Sequence, residues 1–271
     1  MAITQSIGFI GGGNMAEALI KGLLVQGHPP GNILVSDPSP PRQALLRDVY
    51  KVAVTAGNRE VAAQCRLLVL AIKPQLVQAV VPELAGTVTA EHLTVSILAG
   101  TATATLERLL GEAARVVRAM PNTPALVGCG ATAVCAGRFA TATDLETATA
   151  LFRAVGSVNT VSEAQMDAVT GLSGSGPAYV FSVIEALTDG GVEEGLPREV
   201  ALALAARTVL GAAQLVVASG EEPAVLRARV CSPGGTTLAG LSALEDGNLR
   251  ATLIEAVARA TRRSKELGKC L

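Results

Sequence analysis

The sequence predicts an α/β chain in two parts: a doubly wound sheet over residues 1–161, then an all-α domain over 162–271. Three observations support this. Short β-branched runs alternate with amphipathic helical segments as far as about residue 161, a pattern of buried parallel strands with crossover helices. A glycine-rich turn follows the first run directly. From Ser162 onward the strand pattern stops and long alanine-rich helical stretches take over.

In order, "SIGFI" reads as the first strand and "NMAEALIKGLLVQ" as the first helix, with Gly27 placed to cap its end. "NILVSD" is a second strand and "PPRQALLRDV" a second helix, with Ser39 as its N-cap. "KVAVTA", "RLLVLAI", "LTVSILA" and "ARVVRAM" continue the strand series. "GATAVCAG" and "VNTV" are later strands whose direction the pattern leaves open. Thr143 and Glu146 stand at capping-box spacing before the helix between them, as do Ser162 and Gln165 where the second part begins. There "PAYVFSVIEALTDGGVEEG" has Pro177 in its first turn and Gly195 beyond its end. A long helix over 199–219, a shorter one, a loop at 231–237 and a closing helix rich in Arg and Glu complete the chain.

Composition narrows the function. The formal charge is −1 and aromatics are 2%, which leaves neither a basic field nor stacking platforms for nucleic acid. Unbroken apolar runs such as 67–72 are too short to cross a bilayer, and a glycine loop follows the first residues too closely for a targeting segment. A cytoplasmic protein with no membrane or nucleic-acid partner is expected. The five cysteines (65, 129, 135, 231 and 270) are irregularly spaced and the two histidines lie far apart, so reduced packing cysteines and metal-free chemistry are expected. Residues 199–219 carry few polar side chains, and a helix apolar on every face must be buried on every face. A subdomain of roughly a hundred residues struggles to enclose it alone, so a homodimer with interlocking helices is expected.

"IGFIGGGNMAEAL" places Gly11, Gly13 and Ala16 in the G-x-G-x-x-A dinucleotide fingerprint of a Rossmann fold. Gly11 makes the tight turn, Gly13 admits the pyrophosphate, and Ala16 lets helix pack on strand. Asp37 lies 24 residues beyond Gly13, where an acid binds the ribose hydroxyls of NAD and repels the 2′-phosphate of NADP. It would equally serve to start a turn before Pro38, and Ser36, Ser39 and Arg42 would hold that phosphate if the loop folds over it. NADH and NADPH both remain open. "LAIKPQ" sets Ala71, Ile72, Lys73 and Pro74 at the carboxyl edge of the fourth strand, and "SILAG" ends the next strand at the same edge. Lys73 fits either a phosphate or nicotinamide contact or a solvated helix start. In the second part, "GLSGSGPAY" reads as a helix start at Ser175 and Pro177 or as a small-residue junction with Ser173 and Ser175 as binding candidates. "CSPGGTT" presents the backbone N–H groups of Gly234, Gly235, Thr236 and Thr237 where another helix begins, and reads either as a plain helix–helix turn or as an anion site without a charged side chain.

"GFIGGGNMAEALI", "AIKPQ", "RAMPNTPALVGCGAT", "DAVTGLSGSGPAYVFSVIEAL" and "VCSPGGTTLAGL", in this order, closely resemble the pyrroline-5-carboxylate reductase family over residues 6–268. The resemblance implies a Rossmann domain followed by a helical dimerisation and substrate-binding domain, with dimers gathered into decamers. It implies reduction of the cyclic imine 1-pyrroline-5-carboxylate to L-proline by NADPH or NADH, the last step of proline biosynthesis. By matching position, Ile10, Gly11, Gly12, Gly13, Asn14 and Met15 would line the pyrophosphate. Ser36, Asp37 and Asn58 would lie at the adenosine end, and Ala71, Ile72, Lys73 and Pro74, with Ile97, Leu98 and Ala99, would flank the dinucleotide. Glu163, Ser232, Gly234, Gly235, Thr236 and Thr237 would meet the substrate, its carboxylate held by the loop amides and its ring nitrogen by the catalytic Thr237. Asp37 and Arg229 depart from members that carry Ser and Asn there. A dehydrogenase of the β-hydroxyacid type is the rival enzymatic reading, but it needs a catalytic lysine, and residues 162–260 contain none. A non-catalytic dinucleotide-binding protein is the other.

Overall fold

A computed structural model describes residues 3, 5–111 and 113–269. The first part runs β1 (Ile7–Ile10), α1 (Asn14–Val25), β2 (Ile33–Ser36), α2 (Pro40–Tyr50), β3 (Ala53–Thr55) and α3 (Asn58–Gln64). It continues with β4 (Leu67–Leu70), α4 (Val77–Val80), β5 (Leu93–Ser96), α5 (Thr103–Leu110), β6 (Arg115–Met120), β7 (Gly130–Ala136), α6 (Ala142–Arg153) and β8 (Gly156–Thr160). One sheet holds all eight strands in the order β3-β2-β1-β4-β5-β6-β7-β8. β1 pairs in parallel with both β2 and β4, in register at Ile7↔Ile33 and Ile7↔Leu67. The strand order therefore reverses beside β1, and chains departing on either side leave a crevice at its carboxyl end. β7 runs antiparallel to β6 and β8 parallel to β7, which fixes the two directions the sequence left open.

Apolar runs of four residues become strands because both faces are covered. Ile7, Phe9, Val35, Leu67 and Val69 join a core with α1 and α6, while Ile10, Leu34, Leu68 and Leu70 join one with α3, α4 and α5. Gly27 caps the end of α1 as expected, donating to the Leu24 carbonyl. Ser39 is the N-cap of α2, but its side chain makes no capping bond; its N–H is held by Asp37 Oδ1 instead. The capping box of α6 sits two residues earlier than the Thr143/Glu146 spacing suggested. Thr141 is the N-cap, its Oγ1 accepts from the Asp144 N–H, and Asp144 Oδ2 accepts from the Thr141 N–H at 2.8 Å. Asp144 wins because its other oxygen also meets Arg115 at 2.8 Å, a tertiary tie that Glu146 lacks.

Beyond β8, Gln165 reaches back to the Ser162 N–H, as its spacing predicts. A short helix α7 (Met166–Val169) runs into a π-helical turn at Thr170–Gly174, then α8 (Gly176–Glu193), α9 (Arg198–Ser219), α10 (Pro223–Arg229), α11 (Thr236–Asp246) and α12 (Leu249–Lys269). The closing segment is thus two helices, not one: the chain breaks at Gly247 and Asn248, and Asn248 adopts φ 58°. The chain divides into two compact units, Met1–Ser175 with Ala258–Leu271, and Gly176–Val257. The boundary expected after residue 161 marks the end of the strands, whereas the compact division falls at the π-helical turn.

Cys65 and Cys135 are buried, and burial pushes both thiols up to about 11, as packing cysteines require. Cys129 is exposed, Cys231 half-buried, and Cys270 lies outside the described residues. α9 packs against α8, yet of its 22 residues only Ala201 and Ala205 are buried within one chain. Leu202, Leu204 and Leu215 are each at least half exposed and Val217 is 84% exposed. By length and composition α9 would also suffice to cross a membrane, a property that the count of unbroken apolar residues missed because single polar residues interrupt it.

Asp144 is 5% exposed and joins the α6 cap to β6 through Arg115. Asp144→Ala strips the cap and leaves Arg115 without its carboxylate, so it should lower unfolding free energy by about 2–4 kcal/mol in denaturant melts. Glu146→Ala should stay within about 0.5 kcal/mol of the parent.

Candidate active site

The crevice beside β1 is shaped by what its turn leaves out. Gly11 adopts φ +97°, and a Cβ there would lie 2.7 Å from the Ala71 carbonyl oxygen, so the turn requires glycine. Three main-chain bonds fix the edge: Gly11 N–H to Ser36 O and Ala71 N–H to Ile10 O, both at 2.8 Å, and Ile97 N–H to Leu70 O at 3.2 Å. Gly13, the N-cap of α1, has no side-chain capping bond, and a Cβ on it would meet nothing within 4 Å. Open space thus lies in front of a helix whose first N–H groups point outward with the positive end of the dipole. That arrangement fits a dinucleotide pyrophosphate.

The expected cofactor residues gather at this edge, in different capacities. Gly11, Gly12, Gly13, Asn14 and Met15 form the turn and first helical turn, and Ala71 to Pro74 and Ile97 to Ala99 follow β4 and β5. Ile10 and Leu98 point their side chains into the core and offer only backbone. Lys73 is exposed before a short 3-10 turn that Pro74 begins. Ser36 is buried, its hydroxyl 2.8 Å from Asn58 Oδ1, while Asn58 Nδ2 donates to Glu83 at 3.2 Å. Asp37 accepts the Gly12 N–H on Oδ2 and the Ser39 N–H on Oδ1, each at 2.9 Å. It therefore shapes the turn after β2, with each carboxylate oxygen held by a main-chain N–H.

Arg42 does not stand free for a phosphate. Its Nε donates to the Gly12 carbonyl and its terminal nitrogen pairs with Glu17 at 2.5 Å. Tyr50 donates its hydroxyl to the other Glu17 oxygen at 2.7 Å. Burial pushes the Glu17 carboxyl up, but hydrogen bonds from Tyr50 and Arg42, with the charges of Arg42 and Lys21, outweigh it and hold the group below the usual carboxylate range. Bonding to Glu17, with burial, raises Tyr50 in turn. Sequence reading missed Glu17 and Tyr50, because partners 25 and 33 residues apart leave no local pattern.

Glu163 has both carboxylate oxygens engaged. They accept the Thr103 N–H at 2.7 Å and the Thr103 hydroxyl at 2.6 Å, and the buried Arg118 lies 3.6 Å away. The carboxylate thus seats the first residue of α5, directly after the loop carrying Ile97, Leu98 and Ala99. In the second unit, Gly234 adopts φ +66°, and the Gly235 N–H is consumed by the Ser232 carbonyl at 3.0 Å. The expected four open amides therefore lose Gly235. Gly235 is the N-cap of α11 without a side-chain cap, so the first-turn N–H groups of Thr236 and Thr237 point outward. Ser232 and Thr236 are exposed and Thr237 is half-buried.

A family model described as pyrroline-5-carboxylate reductase dimerisation matches residues 163–267, and one described as NADP oxidoreductase, coenzyme F420-dependent, matches residues 6–100. A pyrroline-5-carboxylate reductase of Synechocystis is 47% identical over 97% of this chain and 98% of its own length. That of Methanosarcina acetivorans is 46% identical over 98% of each. Among solved structures, a pyrroline-5-carboxylate reductase from Coxiella burnetii superposes with a TM-score of 0.91 at 40% identity, covering 98% of this chain and 99% of that one. The Plasmodium falciparum pyrroline carboxylate reductase with NADP bound gives 0.88 at 32% identity, covering 97% and 98%.

Because nothing crowds Gly13, a valine there should fold normally and fill the phosphate space. Gly13→Val should cost no more than about 1 kcal/mol, the scale of an N-cap change, in thermal melts. The same protein should lose at least tenfold in calorimetric affinity for NADH, and unchanged affinity would show that the dinucleotide lies elsewhere.

Proposed function

The chain belongs to the pyrroline-5-carboxylate reductase family, and from that premise we propose how its two groups of site residues share one reaction. The protein reduces 1-pyrroline-5-carboxylate to L-proline with NAD(P)H, the last step of proline biosynthesis. It works as a homo-oligomer, consistent with its dimerisation domain and with an α9 that one chain leaves largely uncovered.

In our reading the first turn of α1, with Gly11, Gly12, Gly13, Asn14 and Met15, holds the pyrophosphate. Asp37 meets the adenosine ribose. The segments Ala71 to Pro74 and Ile97 to Ala99 flank the nicotinamide half, chiefly through backbone. NAD(P)H bound there supplies a hydride. Glu163 acts on this edge from behind, seating Thr103 and hence the loop before it, rather than by touching the substrate.

The observation that carries the substrate side is the uncapped start of α11 behind Gly234 and Gly235. The N–H groups of Thr236 and Thr237, with the helix dipole, hold the substrate carboxylate without a charged side chain. A neutral cradle suits this substrate: a lysine or arginine at the carboxylate would disfavour the positive charge that the ring nitrogen must carry. The protonated imine binds as such, its N–H donating to Thr237 Oγ1. That bond keeps the proton on nitrogen while the adjacent carbon is reduced, and no separate general acid is needed. Ser232 completes the loop by holding Gly235 in place through its carbonyl.

Thr237→Ala should reduce kcat by about 10- to 100-fold, the worth of one charge-assisted hydrogen bond, with NADH affinity within twofold of the parent. Turnover equal to the parent's would remove Thr237 from the mechanism. The rival without catalysis is separated by following absorbance at 340 nm: the reductase consumes NADH or NADPH only when pyrroline-5-carboxylate is added. For assembly we extend the reading to five dimers in a decamer. Light scattering should give ten times the 27.5 kDa chain mass. A value of twice that mass would leave the dimer alone, and a monomer would contradict the role given to α9.

A further inference from the structure

The corner that receives the adenosine ribose carries a charge arrangement that neither the family match nor the fingerprint assigns. Asp37 stands at the end of β2 with each carboxylate oxygen fixed by a backbone N–H, from Gly12 and from Ser39, both at 2.9 Å. Its main chain is fixed as well: its N–H reaches Thr55 O at 3.2 Å, and Gln43 donates to its carbonyl at 2.6 Å. A rotation that would carry the carboxylate away from the ribose breaks two of these bonds. Beside it, Arg42 is the residue type that would accept a 2′-phosphate. Its guanidinium is instead held on two sides, by the Gly12 carbonyl and by the Glu17 carboxylate, and Glu17 is itself anchored by Tyr50 at 2.7 Å. Arg42 and Glu17 are each about four-fifths buried as side chains, so this pair is less screened than an exposed one.

We propose that Glu17 is a specificity-determining residue: by holding Arg42 against the glycine turn it withholds the cation that a 2′-phosphate requires, and with Asp37 it makes the enzyme prefer NADH to NADPH. Glu17 touches no ligand and acts through Arg42, as a positioning residue. The inference rests on the dinucleotide reading of the glycine turn given above. It goes further in assigning a cofactor preference and a residue that sets it. A 2′-phosphate entering this corner meets a fixed carboxylate and an arginine already neutralised, whereas a 2′-hydroxyl can donate to Asp37, whose oxygens retain lone pairs.

The test is calorimetry on the whole protein with NADH, NADPH, ADP and adenosine 2′,5′-bisphosphate. The last two report the adenosine corner without any turnover. The parent protein should bind NADH at least tenfold more tightly than NADPH, and ADP more tightly than the bisphosphate. Glu17→Gln keeps a partner for Tyr50 but removes the charge. It should tighten NADPH and the bisphosphate by about 3- to 10-fold, the scale of one unpaired charge near the surface, while NADH and ADP stay within twofold. Arg42→Ala serves as a second variant if Glu17→Gln folds poorly: it should leave the NADH-to-NADPH affinity ratio within twofold of the parent's, because the arginine is not used. NADPH binding as tight as NADH in the parent, or a selective loss of NADPH in Arg42→Ala, overturns the inference and leaves the dinucleotide reading intact. Absence of binding by all four compounds overturns both.

Discussion

The site depends on one close approach of main chains at the carboxyl end of β1. Where the strand order reverses, the Gly11 turn passes so near the Ala71 carbonyl that even a methyl group would collide with it. This contact brings the end of β1 to the end of β4 and points the start of α1 at the space between. Everything assigned to the cofactor follows from that placement. The helix start proposed for the pyrophosphate has open space beside Gly13, and the segments proposed to flank the dinucleotide are simply where β4 and β5 stop. The side chains of Ile10 and Leu98 show the same logic: they lie in the core and hold the edge from inside.

A reductase of this kind asks little of side-chain chemistry. The substrate has one negative and one positive group when protonated, and main-chain donors can hold the first without penalising the second. Charged groups are placed instead where they fix the frame. Glu163 seats α5, Asp144 ties α6 to β6, and Glu17 restrains Arg42. In each case both oxygens of the carboxylate are occupied within the protein, so these residues shape the site more than they meet a ligand.

What could be seen in the sequence was whatever has a local period. Four-residue apolar runs gave the strands and their carboxyl edge, and Gly11, Gly13 and the "SPGGTT" loop declared themselves by composition. Features set by partners far along the chain stayed hidden. The α6 cap moved to Thr141 and Asp144 because Arg115, 29 residues away, selects that carboxylate. Arg42 looked available for a phosphate because Glu17 lies a helix and a strand earlier. The closing helix divided at Gly247 and Asn248, a stop signal that sequence reading passed over: asparagine tolerates the left-handed conformation it takes there. The long helix at 199–219 showed the converse: its composition announced a partner surface, while an unbroken-run criterion passed over its length.

The central claim is that outward amides at the start of α11 hold the substrate acid while the glycine turn holds the dinucleotide. A crystal structure of the protein with NAD⁺ and L-proline tests it most directly. The account predicts the proline carboxylate within hydrogen-bond distance of the Thr236 and Thr237 nitrogens and a pyrophosphate at the first turn of α1. A carboxylate paired with an arginine or lysine side chain, or a dinucleotide away from Gly11 and Gly13, would contradict it.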